Sequence, residues 1–295
     1  MSDLHDRTWL SQGAPPRGSP VVSASSRGLR YGDGVFVTLG IHGGVLLDAE
    51  LQMNRLHRSA QVIGLDPPTC FEARSGRAGK LATIVAELDP AITDGVTRLQ
   101  WFAGAGPRGF GRERVRAEAI VDLTERPESR SVSLVVLPDG HVPLPALPHH
   151  KTCSSLANIV CAREALDRGV DEAVRVESGV LLETASANVF WTRDDILFTP
   201  AASLPLYPGS MRERILECAS HVGIDIEEGA FACDRLFSAE VVFLANAARG
   251  IEFVHVVDGR AMGPRPTILA RLEAAVEARR LELGIPLVGH MNADA

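Results

Sequence analysis

"KTCSSLANIVCAREALDRGVDEAVRVESGVLLETASANVFW", residues 151–191, carries the order of elements on which the fold turns. It opens on a lysine in a short polar segment. A helix follows, which Ser154 or Ser155 can cap. Leu156, Ile159, Val160 and Leu166 lie on one side of it and Gly169 closes it. Short strands are then expected at Glu172–Glu177, Val180–Leu182 and Val189–Trp191, with Ser178–Gly179 as a turn. One helix followed by consecutive strands departs from the regular alternation of a doubly wound sheet and points to an α+β arrangement.

Working outward, "SVSLVVL" (131–137) reads as a strand, and a proline-rich loop leads from it to Lys151. Before it, "TERPESR" (124–130) is polar and broken by proline, the best linker candidate. It divides the chain into a smaller α+β domain, 1–126, and a larger one, 127–295. In the first, "GVFVTLGIHGGVLLD" predicts a hairpin, with a strand from Val35 to Ile41 and a turn at Gly43–Gly44. Asp48 can cap the next helix, where Met53, Leu56, Ala60 and Ile63 follow helical spacing. A second helix is expected near Phe71–Glu87, then strands at Thr97–Ala103 and Ala117–Leu123. In the larger domain a helix is expected from Met211 to Val222. Strands at 240–246 and Phe253–Val257 follow, then a helix from Thr267 to Leu283. The first twenty-odd residues, rich in Pro, Gly and Ser, read as loose surface chain.

Composition narrows the function classes. With 45% apolar and 23% charged residues, the 295-residue chain has an ordinary soluble balance. A formal charge of −7 argues against a general nucleic-acid binder, which needs a basic face. The five cysteines are odd in number and lack metal-ligand spacing, so they read as reduced thiols with no metal site. The opening MSDLHDRTWL lacks a basic-then-apolar signal, and no run approaches the roughly 18 apolar residues of a membrane span. A cytoplasmic protein with neither membrane nor nucleic-acid partner is expected.

Of the 30 basic residues only Lys80 and Lys151 are lysine. A lysine amine can lose its proton and attack a carbonyl, whereas a guanidinium stays charged. Lys151 therefore reads either as a solvated surface lysine or as a Schiff-base amine. Glu183, at a strand end before small residues, reads as a turn carboxylate or as an acid beside a pyridine nitrogen. In "PGSMRERIL" (208–216), Ser210 and Glu213 have capping-box spacing, and the amides of Ser210 and Met211 open a helix whose dipole favours an anion. Arg55, beside the Met53/Leu56 stripe, either covers apolar surface or holds a phosphate through its fork of donors. Cys153 and Cys161 read as buried thiols. His149 and His150 are assigned no role.

Taken in order, "SRGLRYGDGVFVTL" (26–39), "NRLHRSAQVIGL" (54–65), "GPRGF" (106–110), residues 151–200, "LYPGSMRERIL" (206–216) and "EVVFLANAARGIEFV" (240–254) resemble the class IV, or fold-type IV, family of pyridoxal-phosphate enzymes. The resemblance runs from about residue 20 onward. It implies a small α/β sandwich-like domain and a larger domain with a barrel-like sheet, with pyridoxal 5'-phosphate between them, usually in a homodimer acting on a small-molecule substrate. By the same resemblance Lys151 is the Schiff-base lysine and proton shuttle, and Glu183 the acid at the pyridine nitrogen. Arg55, the amides of Ser210 and Met211, and the loop at Asn246–Ala247 would take the phosphate. "ETASANVFW", "GSMR" and "NAA" are similar to the aminodeoxychorismate lyase branch, the alternatives being D-amino-acid, branched-chain or other aminotransferases. Leu156 stands where branched-chain enzymes have tyrosine, and Val37 where many aminotransferases have glutamate. Ala103 replaces an arginine frequent in the family, and Ala247 a threonine.

Overall fold

The computed structural model describes residues 7–11, 22–73, 76–111, 115–128 and 130–287. Most of the proline- and glycine-rich opening lies outside them. The chain divides into two compact units. One comprises Met1–Pro127, His150–Ser154 and Leu281–Ala295; the other comprises Glu128–His149 and Ser155–Arg280.

The first unit contains β1 (Thr8–Leu10), α1 (Arg27–Tyr31), β2 (Gly34–His42), β3 (Val45–Leu46), α2 (Ala49–Val62), α3 (Arg77–Leu88), β4 (Gly95–Ala103) and β5 (Ala117–Thr124). Its sheet runs β1-β5-β4-β2-β3, closed by a C-terminal strand at Ile285–Pro286. Every pairing in it is antiparallel. Alternation gives the sheet two unlike faces. Val35, Val37, Leu39, Leu99, Trp101 and Val121 are buried against Met53 and Leu56 of α2 and Leu81 and Val85 of α3. Phe36, Thr38, Arg98, Gln100, Ile120 and Asp122 take the other face and are half-buried. Asp48 precedes α2 as expected, but it adopts a left-handed backbone (φ 55°) and makes no side-chain cap bond to the helix.

The second unit contains β6 (Val132–Val136), α4 (Leu156–Asp167), β7 (Glu172–Val174), β8 (Val176–Glu177), β9 (Val180–Leu181), β10 (Asn188–Arg193), β11 (Ile196–Pro200), α5 (Ser210–His221), β12 (Asp225–Gly229), β13 (Val241–Asn246), β14 (Gly250–Val257), β15 (Arg260–Ala261) and α6 (Thr267–Glu282). The main sheet runs β12-β11-β10-β13-β14-β6-β7, with β15 on β14. It mixes antiparallel pairs with three parallel ones, β11/β12, β14/β6 and β6/β7.

Burial on both faces explains why its central strands are continuous apolar runs rather than alternating ones. Val189, Trp191, Val242 and Leu244 fill one side with Leu134 and Val254. Phe190 and Phe243 fill the other, stacked with ring centroids 5.1 Å apart, beneath Met211 and Ile215 of α5 and Leu272 and Val276 of α6. That contact seats α5 on the sheet. Leu156, Ile159 and Leu166 of α4, which sequence spacing places on one side of the helix, point outward at 69%, 59% and 75% exposure. Among the described residues, no helix is long and apolar enough to cross a membrane.

Replacing Phe243 by Ala removes one ring of the stack and leaves a cavity under α5. The expected cost is about 3–5 kcal/mol, read by urea unfolding of the second unit.

Candidate active site

In the first unit Lys151 is held by backbone pairing. β3 reaches only the far end of β2, so the near half of β2 has an open edge. The segment around Lys151 occupies it. The Phe36 amide donates to the Lys151 carbonyl (3.0 Å), Val35 bridges Thr152, and the Cys153 amide donates to the Gly34 carbonyl (2.8 Å). The approach needs glycine at 34, because a Cβ there would lie 3.0 Å from Cys153 Sγ and 2.7 Å from the Trp101 carbonyl oxygen. The Lys151 side chain is half-buried, its Nζ 5.1 Å from the centre of the Phe36 ring. Lys80, by contrast, is exposed on α3. Burial pushes the Cys153 thiol up to about 12, so it stays protonated. His150 Nδ1 lies 3.1 Å from Ser59 Oγ of α2, a contact the sequence gave no reason to expect. Arg55 is buried on α2 at 8% exposure, between Met53 and Leu56.

In the second unit Glu183 lies at 8% exposure directly after β9, in a tight turn. Thr184 makes that turn. Its backbone amide donates to the Ala187 carbonyl, and its Oγ1 accepts from the amides of Ser186 and Ala187. The turn brings Glu183 back to bridge Asn188, at the head of β10. Glu183 Oε2 accepts from Asn188 Nδ2 (3.4 Å) and Oε1 from the Tyr207 amide (3.1 Å). The same Asn188 side chain donates to the Tyr207 carbonyl (2.8 Å) and accepts from the Gly209 amide (3.1 Å). One asparagine thus ties the carboxylate to the start of α5.

The capping-box reading of Ser210 needs correction. The N-cap of α5 is Gly209, in extended backbone and with no side chain to offer, and Ser210 is the first helical residue. The reason is space, since a Cβ at Gly209 would meet Asn188 Oδ1 at 2.6 Å. Ser210 and Met211 are both buried, and the Glu213 amide returns to the Gly209 carbonyl. First-turn amides have no carbonyl partner within their own helix and face the positive end of its dipole, which is anion-binding chemistry.

Asn246 ends β13, and its Oδ1 accepts from the amides of Ala248 and Arg249 (3.0 and 2.8 Å), folding 246–249 into an Asx turn. Arg280 of α6, 1% exposed, donates to the Ala247 carbonyl (3.2 Å). Arg249 bonds Glu172 and Ser186 Oγ. Arg175, also 1% exposed, reaches the Thr184 carbonyl, the Ala157 carbonyl and Asn158 Oδ1, fixing the Glu183 turn against the start of α4. Arg175 and Arg280 were not singled out by sequence, whereas Asn188 stands in an E-x-x-x-x-N-x-F pattern without a role assigned to it. The signal for Asn188 was its five-residue spacing from Glu183.

Within each unit the donors and acceptors are of kinds that suit pyridoxal phosphate. The first unit offers a clamped amine and a buried guanidinium. The second offers a carboxylate held by two N–H donors, and beside it, through Asn188, a helix start with a glycine cap. A Gly209→Ala protein should push Asn188 off its three partners, Glu183, the Tyr207 carbonyl and the residue 209 amide. The expected results are a stability loss of about 1–3 kcal/mol by thermal unfolding and weaker binding of pyridoxal phosphate in a fluorescence titration.

Residues 34–257 match the amino-transferase class IV family. The chain is 25% identical over 253 residues to a D-alanine aminotransferase of Bacillus licheniformis, covering 84% of this chain and 87% of that one. It is 23% identical over 238 residues to an aminodeoxychorismate lyase of Vibrio harveyi, covering 78% and 85%. A crystal structure of a branched-chain aminotransferase from Thermoproteus uzoniensis with norvaline superposes with a TM-score of 0.85 at 23% identity, covering 95% of this chain and 99% of that one. The two-domain α+β fold is therefore that of this group. The chain belongs to the class IV aminotransferase family, whose members depend on pyridoxal 5'-phosphate.

Proposed function

We propose that the protein is an aminodeoxychorismate lyase, converting 4-amino-4-deoxychorismate to 4-aminobenzoate and pyruvate. The observation that carries the reading is the clamping of Lys151 along β2, which leaves its amine over the Phe36 ring while its backbone is fixed by two hydrogen bonds. When bound, the cofactor supplies an electron sink for the carbanion formed at the amine-bearing carbon. Lys151 would hold the cofactor through its amine and, once the substrate's own amine had displaced it, would be free to take the proton from the amine-bearing carbon and return one to the departing pyruvate. Glu183, oriented by Asn188 and the Tyr207 amide, holds a proton at the pyridine nitrogen. Arg55, the amides of Ser210 and Met211, and the turn at Asn246–Ala247 hold the phosphate.

Support for the lyase branch comes from particular side chains. Leu156 is an exposed apolar residue at a position where a hydroxyl would mark the branched-chain enzymes. Ala247 brings a methyl group, not a hydroxyl, to the turn, and Val37 faces the core of the first unit. The second reading, an aminotransferase for D-amino, branched-chain or other amines, draws on the names of the relatives. A cytoplasmic homodimer with no nucleic-acid or membrane partner belongs to the same proposal.

Aminodeoxychorismate supplied to the cofactor-loaded protein should yield 4-aminobenzoate and pyruvate in equal amounts. Amino exchange with 2-oxo acids, without pyruvate release, would instead establish the aminotransferase. Lys151→Ala should abolish the visible band of the lysine-bound cofactor and slow product formation by roughly 10²–10⁴-fold.

A further inference from the structure

Two turns of the second unit, 183–188 and 246–249, lie far apart in the chain, with 63 residues between Ser186 and Arg249. Arg249 joins them. Its Nη2 donates to Ser186 Oγ (3.0 Å) and to Glu172 Oε1 (3.2 Å), and its Nε donates to Glu252 Oε2. Ser186 Oγ in turn donates to Glu172 Oε1 (2.7 Å). Ser186 belongs to the Glu183 turn through its amide, which donates to Thr184 Oγ1 (3.3 Å). Arg249 belongs to the other turn through its own amide, which donates to Asn246 Oδ1 (2.8 Å).

Position in the chain suggests another task for this side chain, since a guanidinium beside an anion-binding turn can take the anion itself. Burial decides otherwise. Glu252 is 1% exposed and stands opposite Leu244 of β13, on the apolar face that Val254 continues. Its Oε1 is buried with no hydrogen-bond partner among the described residues, so the carboxylate relies on Arg249. Glu172, its side chain 10% exposed, is shared between Arg249 and Ser186. Taking the cation from a buried carboxylate is strongly unfavourable, which commits Arg249 to the interior.

The backbone passes this constraint on. Asn246 pairs with Gly250, whose left-handed backbone (φ 77°) follows Arg249 directly. A side chain fixed at Glu252 and Glu172 therefore fixes the end of the turn that carries Ala247. On the other side, Arg175 holds the Thr184 carbonyl and Arg249 holds Ser186, so the turn behind Glu183 is tethered at two points.

We propose that Arg249 is a positioning residue that holds the two turns in register, so that a ligand whose phosphate lies at Asn246–Ala247 meets the Glu183 carboxylate with its ring nitrogen. The proposal rests on the reading of Glu183 as the acid at the pyridine nitrogen and of the 246–247 turn as a phosphate site. Arg249 acts through the turns and bonds neither group itself.

Three ligands separate the contributions in fluorescence titrations of the full-length protein freed of cofactor. They are pyridoxal phosphate, 5'-deoxypyridoxal, which lacks the phosphate, and 1-deazapyridoxal phosphate, which lacks the ring nitrogen. All three carry the aldehyde that Lys151 would bond, so the lysine's contribution is common to them. The wild type should bind pyridoxal phosphate about 10- to 100-fold more tightly than either analogue. Arg249→Gln should lower both preferences about 5- to 10-fold, and Arg249→Lys should restore part of each. Ser186→Ala, which leaves Arg249 on its two carboxylates, should lower the nitrogen preference alone. In Arg249→Gln, loss of one preference alone overturns the proposal, and loss of the phosphate preference alone would make Arg249 a direct phosphate ligand. An equal loss of affinity for all three ligands, or two unchanged preferences, overturns it as well. Should Arg249→Gln fail to fold, Arg249→Lys and Ser186→Ala decide, and wild-type preferences in both overturn the proposal. A wild type lacking either preference overturns the reading of Glu183 or of the 246–247 turn, and the proposal with it. Both preferences present in the wild type and kept in Arg249→Gln overturn the role of Arg249 alone.

Discussion

The side-chain amide of Asn188 is the constraint on which the placement of Glu183 and of the start of α5 depends. An asparagine offers two donors and an acceptor in one rigid plane. Here the donors meet Glu183 and the Tyr207 carbonyl, and the acceptor meets the Gly209 amide. Those contacts fix the carboxylate and the first turn of α5 relative to one another. Asn188 is itself fixed because β10 is buried on both faces, through Val189 and Trp191 on one side and Phe190 on the other. Core packing is thereby converted into the placement of two polar groups. Neither Glu183 nor the start of α5 could be held so closely by surface loops alone, because 1 Å of looseness is enough to spoil a catalytic arrangement.

A similar economy holds in the first unit. Lys151 sits on no regular element, yet its backbone completes the open edge of β2, so its side chain inherits the rigidity of the sheet. Arg55 gains its position from α2, whose Met53 and Leu56 anchor the helix on the same sheet. The two faces of that sheet divide the labour. One is apolar and stabilising, and the other presents Phe36 and Arg98 on the side that Lys151 occupies.

Much of this organisation was legible in the sequence where periodicity is strong. The hairpin from Val35 with its Gly43–Gly44 turn, the strands around Leu99 and Val121, and α5 and α6 all appear within a residue or two of their expected places, because each is marked by alternation, helical spacing or a glycine. The strands at Ile196–Pro200 and Asp225–Gly229 went unseen: the first is too short to show a period and the second is polar, paired at the sheet edge. The capping role given to Ser210 failed for a tertiary reason. Spacing shows where a helix can begin, but not that Asn188 crowds the preceding residue and so demands glycine there. Arg98 could not be singled out among 28 arginines, because its place over the Phe36 ring is set by strand pairing and not by its neighbours in sequence.

That last point bears on the scarcity of lysine. Beside the Phe36 ring the two basic side chains are not interchangeable. A guanidinium at 151 could not give up its proton, so it could neither bond a carbonyl carbon nor carry a proton to and from substrate. A lysine at 98 would offer a point charge that titrates when buried, without the fork that matches a carboxylate's two oxygens. A chain that uses arginine for nearly every positive charge can keep permanent charge wherever an anion must be held. The amine on this face differs from those guanidiniums in being able to bond a carbonyl carbon and to move a proton. The contrast between Arg98 and Lys151 follows from the acid–base properties of the two groups, both of which lie against one phenyl ring.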